Sequence, residues 1–295
     1  MSGEGGRVRC GVQQIMLGTR CRSEAESLAT LRAVKAAGYD GLELNRFMIR
    51  KTSWLVRLLT RAAGMPTGNG GNYDWPKLLQ ESGLQALSLH TDLGSLEKEP
   101  EAVYEDAAAL GTDTLVITGM YRFDYGSEAA VKELAQRLSA AGSAAAGRGL
   151  SLLYHNHNCE LQRTESGTRA YELLLSQTDP ETVGFEFDSY WMTDAGADAA
   201  AVMASLGRRL KLWHINDRGC RKTGPYLTPI LKEDSMELGY GNMDLDTMME
   251  IALRGGVRGI ILESHKNWAE GDPVKSLTLS AAYLKERLGG RDADA

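Results

Sequence analysis

Cysteine is scarce: the 295 residues hold four, Cys10, Cys21, Cys159 and Cys220. None stands in a CxxC pair. That excludes a thiolate zinc site or a disulfide framework and points to free thiols in a reducing compartment. Positive charge is in deficit too, with 33 Lys and Arg against 39 Asp and Glu and a net charge of −6. A nucleic-acid partner would need a basic face, which this balance does not supply. No apolar run approaches the roughly 20 residues of a membrane span. The opening MSGEGGRVRC has no apolar signal core, so a cytoplasmic location with no membrane partner is expected. A GxGxxG loop is also missing. IMLGTR stands where a dinucleotide-binding fold would carry it, which argues against a doubly wound sheet. What remains is an ordinary globular balance, 43% hydrophobic and 24% charged.

Short apolar runs alternate with longer helical patterns. The strand candidates are 8-VRCGVQQIML, 39-YDGLELN, 84-LQALSLH, 113-DTLVIT, 150-LSLLYHN, 182-TVGFEFD, 209-RLKLWHIN and 258-RGIILES. Helical patterns follow at 24–37, 74–82, 98–110, 127–147, 168–177, 197–207, 244–254 and 273–288, with glycine at many helix-to-strand turns. Eight βα units of this length predict an α/β (β/α)8 TIM barrel. A single domain over 1–288 is expected, with a disordered tail at 289–295. Two segments exceed ordinary loops. Residues 217–243 are long and polar. Residues 46–73 carry Phe47, Met48, Trp54, Leu55, Val56, Leu58 and Leu59, too apolar to lie bare. Both follow strands on the catalytic face, and 46–73 is expected to cap the pocket or to form a subunit contact.

The five histidines, His90, His155, His157, His214 and His265, all fall at or just past the C-terminal end of a predicted strand. In a TIM barrel that face carries the active site. Strand alternation puts Glu186 and Asp188 on one face, and Leu212 with His214 on another strand's face. Successive strands thus finish in Glu160, Asp188, His214 and Glu263, although Glu160 breaks the parity of His155 and His157 and requires that its strand has already ended. Taken one at a time, each residue has a structural reading: a helix cap for Glu160, an Asx turn for Asp188, a satisfied barrel histidine for His214, and an ion pair with Lys266 or Arg258 for Glu263. Together, three carboxylates and an imidazole would repel unless something neutralises them, and a divalent cation does so. The oxygen-rich set suits Mn²⁺ first, with Mg²⁺ or Co²⁺ as alternatives.

The stretches GYDGLELN, SLHTDLGS, LLYHNHNCEL, GFEFDSYW, LWHIND, LGYGNMDL and IILES resemble the sugar phosphate isomerase/epimerase-like, or xylose-isomerase-like, TIM barrels over nearly the whole chain. The resemblance implies a Glu–Asp–His–Glu metal set at Glu160, Asp188, His214 and Glu263. It also implies sugar chemistry by proton abstraction. More narrowly, 12-VQQIML, 46-RFMIRKTSWLVRLLTRAAGMP and the HNHNCE strand look like the catalytic subunit of bacterial C-glycoside deglycosidases. Those enzymes act on 3-oxo-C-glycosides and pair the barrel with a small β-rich subunit, so a small second subunit and homo-oligomerisation are expected here.

The chemistry expected is removal of a proton next to a sugar carbonyl, with His155 or His157 as base and His90, Asp217 and Glu43 as substrate contacts. Loss of a neighbouring group would give a lyase, and reprotonation an isomerase or epimerase. An AP-endonuclease-like phosphodiesterase and a non-catalytic sugar-binding subunit are the rival classes.

Overall fold

The computed structural model describes residues 7–51, 70–120, 122–221 and 228–289. Its strands are β1 (Arg9–Gln13), β2 (Gly41–Asn45), β3 (Gln85–Thr91), β4 (Thr114–Ile117), β5 (Ser151–His155), β6 (Val183–Asp188), β7 (Leu210–Ile215), β8 (Asp217–Cys220), β9 (Glu233–Met236) and β10 (Gly259–Leu262). Eight of them close into a parallel barrel in the order β1-β10-β7-β6-β5-β4-β3-β2. β2, β4 and β10 are buried at every position, as expected for parallel strands covered on both faces. The expected TIM barrel is therefore the fold.

Helices alternate with the strands where the apolar periodicity predicts them, and their starts have local causes. Ser23, Asp74, Ser127 and Asp198 each accept an N–H three residues on, from Glu26, Lys77, Ala130 and Ala201. Such caps satisfy a donor that the first turn leaves orphaned. No described helix is long and apolar enough to cross a membrane.

The chain forms two compact parts. The first contains Ala86–His214 and Asp246–Ile260. Its interior is an apolar layer of Val116, Leu153 and Leu212. Two residues further along their strands, on the same face, stand His155 and His214. Cα pairing sets His155 opposite Glu186 and Asp188 opposite His214.

The second part contains Arg9–Gln85, Ile215–Leu245 and the chain from Ile261 onward. Here the long polar segment after β7 contains two strands beyond those expected from the sequence, and its residues 222–227 lie outside the described residues. β8 and β9 pair as an antiparallel hairpin, with Asp217 opposite Met236 and Cys220 opposite Glu233. Four-residue strands of mixed polarity give too little alternation to stand out in a sequence. Of the segment 46–73, residues 52–69, including Trp54, Leu55, Val56, Leu58 and Leu59, lie outside the described residues. The chain enters it through a short helix, Arg46–Ile49, that buries Met48. Its far end comes back onto the entry: a Cβ at Gly71 would stand 2.3 Å from the Arg50 carbonyl oxygen. The last helix runs Pro273–Gly289, one residue beyond the expected limit, and the tail from 290 lies outside the described residues.

Candidate metal centre

The centre of the first part is a carboxylate among imidazoles. Glu186 Oε2 lies 2.8 Å from His90 Nε2, 3.0 Å from His155 Nδ1 and 3.3 Å from His214 Nε2. All four side chains are buried, and each offers a ligand atom within 4.8 Å of the others. Burial opposes charge on Glu186. The neighbouring His214 and His90 outweigh it, with hydrogen bonds from His155 and His214, and hold the carboxyl well below the usual carboxylate range. An ionised carboxylate only accepts hydrogen bonds, so the nitrogens facing it carry the protons. That assigns N–H to His155 Nδ1 and His214 Nε2, and the opposite ring nitrogens, His155 Nε2 and His214 Nδ1, face away from Glu186. Glu186 Oε1 is buried with no hydrogen-bond partner among the described residues.

One step toward the strand ends, Asp188 joins the imidazoles. His155, Asp188 and His214 offer ligand atoms within the same 4.8 Å of one another. His214 Nδ1 is 3.8 Å from Asp188 Oδ2. Asp188 is held from two directions. Its Oδ1 accepts the Trp191 N–H at 3.0 Å, which caps the helix Ser189–Asp194. Asn156 donates to the Asp188 carbonyl and accepts the Asp188 N–H, both at 3.0 Å. The donors are two imidazoles and a carboxylate, all buried, and they fit a divalent first-row metal.

Glu160, expected in this set, is turned elsewhere. β5 ends at His155, and Cys159–Leu161 is a separate 3-10 turn. Glu160 Oε1 accepts from the Tyr154 hydroxyl at 2.7 Å, and Oε2 accepts from the His157 N–H at 2.9 Å and the Cys159 thiol at 3.2 Å. Tyr154 points off β5 opposite to His155 by strand parity, so its partner Glu160 lies on the outer side of that strand. Burial, then the Glu160 charge and its hydrogen bond, pushes the Cys159 thiol up to about 12. His155 brings its ring to the donor set in place of Glu160.

The other expected site residues take several places. His90 joins the Glu186 cluster. His157 is half-buried, its ring 4.9 Å from that of His155 and 6.1 Å from that of Trp191. A Cβ at Gly119 would come within 3.1 Å of both His157 Nδ1 and Glu160 Oε1, so glycine keeps that approach open. In the second part, Glu43 is fully buried and accepts from Gln13 Nε2 at 3.3 Å. Asp217 departs from its expected role as a substrate contact. It is buried, and its two oxygens accept the N–H groups of Arg218, Gly239, Gly241 and Met243 at 2.8–3.1 Å. Four amides on one carboxylate make it the anchor of its own loop. Glu263 follows β10, buried, with its N–H on the Ile215 carbonyl at 3.2 Å and its carboxylate 3.8 Å from His265 Nε2. Glu186, given no role from the sequence, is the residue that sequence reasoning passed over. Its shared strand face with Asp188 was the available signal.

Comparison with known proteins gives three findings. An inosose dehydratase of Clostridium perfringens is 26% identical over 164 residues, 53% of this chain and 54% of that protein. The chain thus spans about half the length of the curated relatives it matches. A sugar phosphate isomerase/epimerase from Parabacteroides distasonis superposes with a TM-score of 0.74 at 23% identity, covering 97% of this chain and 96% of the other. A protein named IolI, solved with a zinc atom bound, superposes at 0.69 with 14% identity, covering 96% and 99%. At those identities the two structures speak for the fold alone. The model of the Xylose isomerase-like TIM barrel family matches residues 31–287, and to that family the chain belongs.

Proposed function

We propose that the chain is a metal-dependent enzyme acting on a polyhydroxy ketone, a keto-sugar or its glycoside, by removing the proton on the carbon next to the carbonyl. The observation that carries this reading is the buried donor set of His155, Asp188 and His214 behind Glu186. These three residues would hold the ion. Glu263 joins them on the strength of the sequence pattern and of the strand order, in which β10 neighbours β7. When bound, the ion supplies Lewis-acid stabilisation of the oxygen that gains negative charge. Imidazole donors move the expectation from Mg²⁺ toward Mn²⁺, Co²⁺ or Zn²⁺, with Mn²⁺ tested first.

The protein's own groups do the rest. Glu186 fixes the tautomers of His155 and His214, as an outer carboxylate does for a metal-bound histidine. Half-buried His157 is the base: it takes the α-proton, and the C–H electron pair becomes the C=C of an enolate. If the β-carbon carries a leaving group, the enolate electrons expel it and an acid returns a proton to it, giving an enone. The relatives named inosose dehydratases support this elimination branch. The leaving group here is water or, in the narrower reading, the carbon-linked aglycone of a 3-oxo-C-glycoside. Reprotonation on the opposite face would instead give an epimer; the isomerase/epimerase-like fold neighbours carry no weight beyond the fold in choosing it. A small second subunit belongs to the C-glycoside reading.

The test is elemental analysis of the purified protein, followed by assay of chelated and Mn²⁺-restored protein on inosose, 3-oxo-glucosides and 3-oxo-C-glucosides. Substrate deuterated at the α-carbon should turn over more slowly, and activity should follow metal content. Full turnover in metal-stripped protein would overturn the reading.

A further inference from the structure

The opposite ends of the strands that carry the metal centre open onto a cavity of about 610 Å³. It lies where β5, β6, β7 and β10 begin, and it is lined by Arg208, Arg209, Lys211, Arg258 and one carboxylate, Glu181. Leu150 and Pro180 add apolar wall.

Arg209 belongs to the frame. Its guanidinium donates to the Leu175 and Val183 carbonyls and to the Thr178 hydroxyl, and it lies 4.8 Å over the Phe185 ring. The other three cations have no such use. Among the described residues, no ion pair joins Arg208, Lys211 or Arg258 to a carboxylate. Lys211 and Arg258 are strand neighbours, the Arg258 N–H donating to the Lys211 carbonyl at 2.8 Å. The Lys211 stem runs over Gly184, where a Cβ would stand 3.0 Å from Lys211 Cγ. Burial, then repulsion from Arg258 and Arg208, pulls the Lys211 ammonium below its ordinary value.

We propose that this cavity binds a phosphoryl group, with Lys211, Arg258 and Arg208 as its ligands. Like charges gathered from two segments of the chain around a half-buried lysine raise one another's energy, and a dianion removes that cost. A phosphate monoester concentrates two charges in one tetrahedral head that arginine forks match. A dicarboxylate spreads them over two heads. Leu150 and Pro180 would take the organic body of an ester. The site stands apart from the metal centre and does not depend on the function proposed for it.

The test titrates the full chain, at low ionic strength, with inorganic phosphate, glycerol 3-phosphate and succinate, and reads binding by calorimetry and ³¹P line broadening. Saturable one-to-one binding is expected for both phosphates, tighter for the ester, and at least about tenfold weaker in Lys211→Met and in Arg258→Gln, the loss of one charged hydrogen bond. Lys211→Arg should retain it, and Arg22→Gln, which removes an exposed arginine paired with Glu26, should not change it. Absence of saturation, equal weakening in Arg22→Gln, wild-type affinity in Lys211→Met, or succinate binding as tightly as phosphate would each overturn the proposal.

Discussion

At their C-terminal ends β5, β6 and β7 present His155, Asp188 and His214; where they begin, the same strands are flanked by Leu150, Thr182 and Arg209. Polar groups gather at both ends, with different internal bookkeeping. At the C-terminal end, three imidazoles share one oxygen of Glu186. The carboxylate there is met by imidazoles, and His155, Asp188 and His214 bring ligand atoms close together. At the N-terminal end, Lys211 feels Arg208 and Arg258, and among the described residues no carboxylate forms an ion pair with it. Between them lies the apolar layer of Val116, Leu153 and Leu212. Lys211 and His214 are three residues apart, about 10 Å along a strand. At that separation, substitutions at one end should add to those at the other without coupling. On the two proposals above, one end would hold a cation and the other an anion, on one set of strands.

The largest effect that would sharpen this contrast is loss of the ion. Asp188→Asn keeps the helix-capping oxygen but removes the charge, and with His214→Gln it should leave no stoichiometric metal and no measurable turnover. Lys211→Met should keep full metal content. Metal retained in the first pair, or lost in Lys211→Met, would break the division between the ends.

His157→Ala should keep the metal and lower turnover by about 10²-fold or more, the usual worth of a general base. Unchanged turnover on every accepted substrate would remove it from the chemistry. Glu186→Gln should weaken metal affinity by about 10–100-fold, as removal of an outer carboxylate does. In the metal-free protein, ¹⁵N spectra should report Nδ1–H on His155 and Nε2–H on His214, and this pattern should scramble in the variant. Wild-type affinity with an unchanged pattern would show that Glu186 orients nothing.

The smallest effect is at Cys159. Its thiol, raised from 9.0 to about 12, keeps its proton in the folded chain at a pH where the unfolded chain has lost it. The folded state then binds more protons, so stability should fall as pH rises through that window. Glu160→Gln removes the charge holding the thiol up, and alkylation of Cys159 near pH 9 should speed up. An unchanged rate would leave burial as the sole cause.

Much of the site could be read from strand parity. Glu186, Asp188 and His214 face as alternation requires, because a strand's period of two survives burial on both faces. Parity also warned about Glu160: its odd spacing from His155 predicts a different direction, and the hydroxyl of Tyr154 receives it there. The hairpin of β8 and β9 escaped notice because four polar residues carry no period, and Asp217 misled because a carboxylate after a strand looks the same whether it meets a substrate or four backbone amides.

The order of elements, the eightfold repeat and the residue types at the strand ends follow from the sequence alone, because apolar periodicity and glycine punctuation are local properties. Which nitrogen of His155 meets Glu186, which oxygen of Asp188 meets His214, and the gathering of Arg208, Lys211 and Arg258 around one cavity were decided only by tertiary structure. Those depend on register between strands and on where the distant segment that carries Arg258 meets β7, and neither is encoded within reach of any one segment.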